Sequence, residues 1–181
     1  MMSQTEEILQ FWLVDTPAEG RFVQDRALDA EIRRRFGTLH EQLSGGVPVQ
    51  WRSSPRDLLA AVIVLDQFSR NLFRGSPQAY AQDGQARALV EQALEKGWDR
   101  QLSVEERWFL YMPFMHSEDL ADQERSVALY KALGLEEVFD FAVRHRDQIA
   151  RFGRFPQRNE VLGRESTADE KGFLQRPDSR F

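Results

Sequence analysis

Arginines concentrate between residues 144 and 164 of this 181-residue chain, where six of them face only Asp147, Glu160 and, just beyond, Glu165. Four of the six, Arg151, Arg154, Arg158 and Arg164, fall in a segment interrupted by Gly153, Pro156 and Gly163. The local charge is positive in a chain whose formal net charge is -5. A guanidinium group is planar, always charged, and shaped to grip a carboxylate or phosphate through two parallel hydrogen bonds. Phe152, Phe155 and Pro156 interleave with the charges, which predicts a loop packed down on the protein rather than a solvated turn. Fixed like charges repel, so such a loop implies either a bound anion or inward-facing Asp and Glu partners.

Two other clusters have residue types suited to chemistry. Asp66 follows a run of eight apolar residues, Leu58 to Leu65, and stands four residues before Arg70 and five before Asn71. Spacing of i,i+4 puts Asp66 and Arg70 on one helical face, and a buried carboxylate needs such a cation. The pair reads equally as a packing device and as part of a ligand site. Met112-Pro-Phe-Met-His116-Ser-Glu118-Asp119 lies at a helix junction, where His116 with Glu118 or Asp119 would form a general base and its orienting partner. The plainer reading is a capping network at that junction. His145, on a later helix, reads as a packed or solvated residue. His116 and His145 lack the short spacings typical of metal ligands, so no metal or other cofactor is expected. Glycine-rich phosphate loops, serine-nucleophile elbows and dinucleotide fingerprints are absent from the sequence.

These groups must be positioned by helices, because helix signals recur from end to end and strand alternation is almost absent. Ser3 with Glu6, Ser103 with Glu106 and Thr167 with Glu170 have capping-box spacing. Ser54 before Pro55 is a cap followed by proline at the first helical position. Leu28, Ile32, Phe36, Leu39 and Leu43 form the stripe of a long amphipathic helix that stops at Gly45-Gly46. Leu58 to Leu65 is apolar all round and predicts the most buried helix. Further helices are expected over about 83–96, from Ser103, over 119–133 and over 136–152, with Gly97, Gly134 and Gly153 as C-terminal stops. The result is an all-α fold of seven to eight helices in antiparallel hairpins, forming one domain over residues 1–175 with a loose tail at 176–181.

Composition narrows the class. Hydrophobic residues make up 41% and charged residues 29%, as in a soluble globular protein. The acidic balance argues against nucleic acid as a partner, and the longest apolar run falls far short of the ~20 residues a membrane helix needs. Cysteine is absent, which removes disulfides and thiolate chemistry. The acidic start, Met-Met-Ser-Gln-Thr-Glu-Glu, does not look like a signal peptide, so a cytoplasmic protein is expected.

Leu65-Asp-Gln-Phe-Ser-Arg-Asn71, His116-Ser-Glu-Asp119, Arg151-Phe-Gly-Arg-Phe-Pro-Gln-Arg-Asn159 and Leu162-Gly-Arg-Glu-Ser-Thr167 resemble, in order, the bacterial and eukaryotic family called domain of unknown function 924. The resemblance runs from Ile8 to Leu174 and implies a tetratricopeptide-like, right-handed helical superhelix, although no 34-residue repeat is visible. The family brings no assigned activity. The positions that match it are Asp66, Arg70, Asn71, His116, Ser117, Glu118, Asp119, Arg154, Arg158, Asn159 and Arg164. The chain departs from it at Gln157, where the family more often has histidine, and at Ser69, where it more often has proline.

The expectation from these residues is a module binding a small anionic molecule, phosphate or carboxylate, or an acidic peptide. Arg70, Arg154, Arg158 and Arg164 would clamp the anion, Asp66, Asn71 and Asn159 would complete the site, and His116, Glu118 and Asp119 would line it. The alternatives are a hydrolase or lyase that uses His116 with Glu118 or Asp119, and a protein–protein adaptor.

Overall fold

A computed structural model of the chain describes residues 2–177 and 179. Asp178, Arg180 and Phe181, within the segment expected to be a tail, lie outside the described residues. The described residues are helical with no strand, which is the all-α fold expected from the capping and stripe signals. Contacts divide the chain into two compact units: Met1–Arg74 with Gln78–Pro113, and Gly75–Pro77 with Phe114–Phe181. No helix among the described residues is long and apolar enough to cross a membrane.

In the first unit α1 spans Gln4–Leu9 and continues as a π-helical turn, Gln10–Asp15. Ser3 caps it by accepting from the Glu6 N–H at 3.2 Å. The Glu6 carboxylate, expected to fold back on the cap, binds Arg56 instead at 3.0 Å. α2, Arg26–Ser44, starts at Asp25, whose carboxylate accepts from the N–H groups of Ala27 and Leu28, and stops at Gly45. Its apolar stripe buries Ile32, Phe36, Leu39 and Leu43. α3, Pro55–Val62, is capped by Ser54 and runs through a second π turn, Ile63–Phe68, into α4, Ser69–Leu72. Every side chain from Leu58 to Leu65 is fully buried, so the run that is apolar all round does form the centre of this unit. Phe68 meets Phe36 at 5.1 Å and Trp12 at 5.4 Å between ring centroids, joining α1, α2 and the central helix through aromatic contacts. α5, Asp83–Glu95, ends at Lys96 and Gly97, and α6 spans Val104–Met115. Both halves of the predicted Ser103–Glu106 capping box form.

In the second unit α7, Leu120–Leu133, and α8, Glu136–Phe152, pack as an antiparallel hairpin around Gly134. Gly134 and Gly153 end these helices at φ of 78° and 69°, a conformation that only glycine adopts without strain. A 3-10 turn, Pro156–Arg158, follows, and α9, Ala168–Leu174, opens with the predicted Thr167–Glu170 capping box.

The π turn alters the expected pairing of Asp66. A π-helix has an extra residue per turn, so i,i+4 neighbours no longer stack. Arg70 lies 3.5 Å from the Asp66 carboxylate but reaches the backbone carbonyl of Asp66 at 2.7 Å. Its bidentate partner is Asp83 on α5, at 3.0 and 3.1 Å. Burial alone would lower the pKa of Arg70, and the charges of Asp66 and Asp83 outweigh it and raise the pKa. One cation thus serves two buried carboxylates and ties the central helix to α5. Replacing it by Met leaves both acids without this cation, and breaking a buried pair from one side costs about 3 kcal/mol or more. Urea unfolding of Arg70→Met at neutral pH should show that loss.

Candidate functional site

The arginine segment is packed down, as its aromatic residues imply, and its like charges are balanced by carboxylates from the same unit. Glu118 accepts from Arg164 Nη1 at 2.7 Å and Nη2 at 2.9 Å, and from the Phe155 N–H at 2.8 Å. Burial raises the pKa of Glu118, but Arg164, the Phe155 N–H and the charge of Arg158 overcome it and hold the carboxyl below its ordinary value. Arg154 grips Glu170 in the same way, Nε to Oε1 at 2.7 Å and Nη2 to Oε2 at 2.8 Å. The Thr167 N–H at 2.8 Å and Asn159 Nδ2 at 3.2 Å also donate to Glu170. The hydrogen bond from Arg154 is the main reason that the Glu170 carboxyl falls to a pKa of about 2. Asn159 links the two pairs, because its Oδ1 accepts from Arg164 Nε at 3.0 Å. Glu170 therefore closes a capping box and anchors the loop at once, which its position in the sequence alone does not disclose.

Arg158 is placed differently. Its guanidinium donates to the His116 carbonyl at 3.0 Å and lies 4.6 Å over the Phe155 ring. The edge of His145 meets the same ring at 5.6 Å, and the His116 and His145 rings stand 6.3 Å apart. Phe155 is thus a platform on which a buried arginine and a buried histidine converge, with a half-buried second histidine beside them. His145 Nδ1 lies 2.7 Å from the Phe141 carbonyl, which can only accept, so Nδ1 carries the proton. Burial first, then the charges of His116, Arg158 and Arg144, pushes the pKa of His145 down to about 3.

Asp119 caps α7 by accepting from the Ala121 N–H at 2.7 Å, and Ser117 donates to Asp122 at 2.6 Å. The junction thus contains the capping network read as the plainer alternative. Near it, Gln123 directs its Nε2 to the carbonyls of Met115 and Ser117, at 2.7 Å each, on either side of His116. Its Oε1, with Ser126 Oγ, Gln148 Oε1 and Gln157 Oε1, is buried and finds no hydrogen-bond partner among the described residues. Gln148 follows His145 by one turn of α8. Sequence reasoning passed over Gln123 and Gln148, although polar residues on the inner face of an amphipathic hairpin are a legible signal.

Asp66, Arg70 and Asn71 belong to the first unit. Asn71 donates to Asp29 at 2.8 Å, and Asp29 also holds Arg74 at 2.6 and 2.9 Å. The same unit contains a groove of about 590 Å³ between α2 and residues 72, 73, 78, 81 and 82, lined by Arg33, Gly37, His40, Glu41, Phe73 and Gln82 among others. His40 was missed, yet it follows Phe36 by four residues along the buried stripe. No group of three or more His, Cys, Asp or Glu among the described residues is arranged to hold a metal ion.

An all-helical protein in which Arg70, Arg154 and Arg164 each answer internal carboxylates is the class defined so far. Residues 8–178 match the family described as bacterial protein of unknown function (DUF924), and the chain belongs to that family. It is also similar to the structure of a protein of unknown function, ATU0120, from Agrobacterium tumefaciens. The two are 37% identical, with a TM-score of 0.89 over 94% of this chain and 96% of the other. No curated protein matches it.

Two outcomes follow from the geometry. The Glu170 carboxyl is lowered from 4.5 to about 2, so its stabilising contribution is complete above about pH 4.5 and disappears as the pH falls towards 2. Glu170→Gln should lose about 2 kcal/mol at neutral pH and show a flatter decline of stability across that acid window than the parent protein, measured by denaturant unfolding. His145 should remain uncharged at pH 5, with its proton on Nδ1, in a long-range nitrogen–proton NMR spectrum. A fully protonated His145 ring at that pH would contradict the burial described above.

Proposed function

We propose that the chain is a binding protein for a small anion, a phosphate or carboxylate ligand or an acidic peptide, taken up in the second unit beside His116, His145 and Arg158. The observation that carries this reading is the convergence of Arg158 and His145 on Phe155, with His116 next to them. Glu118 and Glu170, in the same unit, are engaged by Arg164 and Arg154. In this reading Arg154, Arg164 and Asn159 are positioning residues that hold the loop, while Arg158 and His116 face the guest.

The buried oxygens sharpen the ligand class. Gln123 Oε1 and Gln148 Oε1 are acceptors, and an anion alone offers them nothing. A guest carrying O–H or N–H groups beside its charge, as a hydroxy acid or an acidic peptide does, has the donors that such oxygens lack. A buried acceptor left without a donor costs about 1–3 kcal/mol, so that complementarity has a measurable size. No observation favours the hydrolase or lyase reading, because Glu118 is held by Arg164 and Asp119 caps a helix.

Calorimetric titration with inorganic phosphate, succinate and malate tests the proposal. Malate, which is succinate with a hydroxyl group, should bind the parent protein more tightly than succinate. Both His116→Gln and Arg158→Gln should weaken each anion by about tenfold or more, the scale of one charge-assisted contact, with far-UV circular dichroism unchanged. If the parent protein binds none of the three, or the His116→Gln protein binds them as the parent does, the site does not recognise anions.

A further inference from the structure

The groove of the first unit has a feature that internal packing does not explain. Gly37 sits in the middle of α2, where glycine is less favourable than alanine by about 1 kcal/mol. Nothing in the protein demands it, since a Cβ at this position would meet no atom closer than Arg33 Cγ at 3.9 Å. Its φ is not in the left-handed region either. The space that a methyl group would enter is the groove itself, which Gly37 lines. A glycine of this kind leaves bare helix backbone against which something flat can lie.

The other walls specify what lies there. Phe73 is half-buried and lines the groove, with its ring tilted at 5.4 Å from the His40 ring. His40 is buried, and burial lowers its pKa, so it enters the groove uncharged. Ser69 donates to the Leu65 carbonyl at 2.6 Å, so the 2.7 Å contact between His40 Nε2 and Ser69 Oγ has the imidazole as donor. The proton is thereby fixed on Nε2, and Nδ1 is left an acceptor, 3.3 Å from Ser44 Oγ, whose hydroxyl donates to the His40 carbonyl at 2.7 Å. Around this apolar and aromatic floor stand Thr38, Glu41, Ser44 and Gln82, which carry both donors and acceptors. The groove falls within the ~300–1,000 Å³ typical of small-molecule sites.

We propose that this groove binds a planar heteroaromatic molecule of the nucleobase class, its ring lying along the bare backbone at Gly37 beside Phe73 and its hydrogen-bonding edge read by His40, Ser44 and Gln82. A flat ring uses the glycine, an aromatic face uses Phe73, and a mixed donor–acceptor edge uses the polar rim. A purely apolar ring would make no use of the polar rim. This site is independent of the anion site and stands or falls without it.

Adenosine, guanosine, cytidine and uridine are the probes, with ribose as the control, titrated into the full chain and followed by calorimetry. At least one nucleoside should bind and ribose should not. Gly37→Ala should raise the unfolding temperature, because alanine favours the helix and fits the space, while weakening that nucleoside by about tenfold or more. Phe73→Leu should weaken it as well. A variant that is more stable yet no longer binds separates a ligand role from a structural one. The inference is overturned if no nucleoside binds, if ribose binds as well as they do, or if Gly37→Ala retains the parent affinity. It is also overturned if Gly37→Ala destabilises the protein, since packing would then account for the glycine.

Discussion

A carboxylate withdrawn from water must be given a cation and hydrogen bonds in the same place, and each unit of this protein meets that demand with arginine. In the second unit Glu118 and Glu170 accept paired donors from Arg164 and Arg154, and Asn159 couples the two pairs. In the first unit Arg70 serves Asp66 and Asp83 together. Guanidinium suits this task because its donors form a rigid fork, so that one side chain fixes both the distance and the orientation of its partner. The loop from Gly153 to Thr167 depends on these bonds, since its only regular element is a single 3-10 turn.

That constraint sorts the basic residues into two kinds. Arg154 and Arg164 direct their donors into carboxylates and backbone carbonyls, and so act on the loop. Arg158 is directed onto Phe155 and the His116 carbonyl, beside two imidazoles. The first kind builds the frame, and the second stands on an aromatic ring inside it. Burial first, and then the neighbouring charges, suppress the basicity of His145 beside them.

The two π turns give the first unit a different resource. Each inserts a residue into a helix that would otherwise be regular, and the turn at Ile63–Phe68 places Asp66 inside the protein while rotating it away from the i,i+4 register. Ser69, immediately after this turn, then bonds the Leu65 carbonyl and meets His40. The tautomer of a histidine that lines the groove is therefore set by a local defect in a neighbouring helix. Such defects recur at functional positions because they aim side chains where a regular helix cannot.

Local chemistry made much of this molecule readable from its residues in order. Ser54, Ser103 and Thr167 cap helices, and Gly97, Gly134 and Gly153 follow their ends, because capping is decided within four or five residues by free N–H groups and by left-handed φ. The stripe in α2 and the run from Leu58 to Leu65 declared their burial for the same local reason, the period of a helix against the need to hide apolar surface. The motif residues Glu118, Arg154, Asn159 and Arg164 were legible as a group, but their connections were not. Glu118 meets Arg164 across 46 residues and Arg70 prefers Asp83 to Asp66, choices made by the distances that packing leaves between helices. The π turns and the groove beside Gly37 have no local signature at all. They exist only where separate segments come together, and only the packed chain determines how much space and how many unpaired polar atoms lie between them.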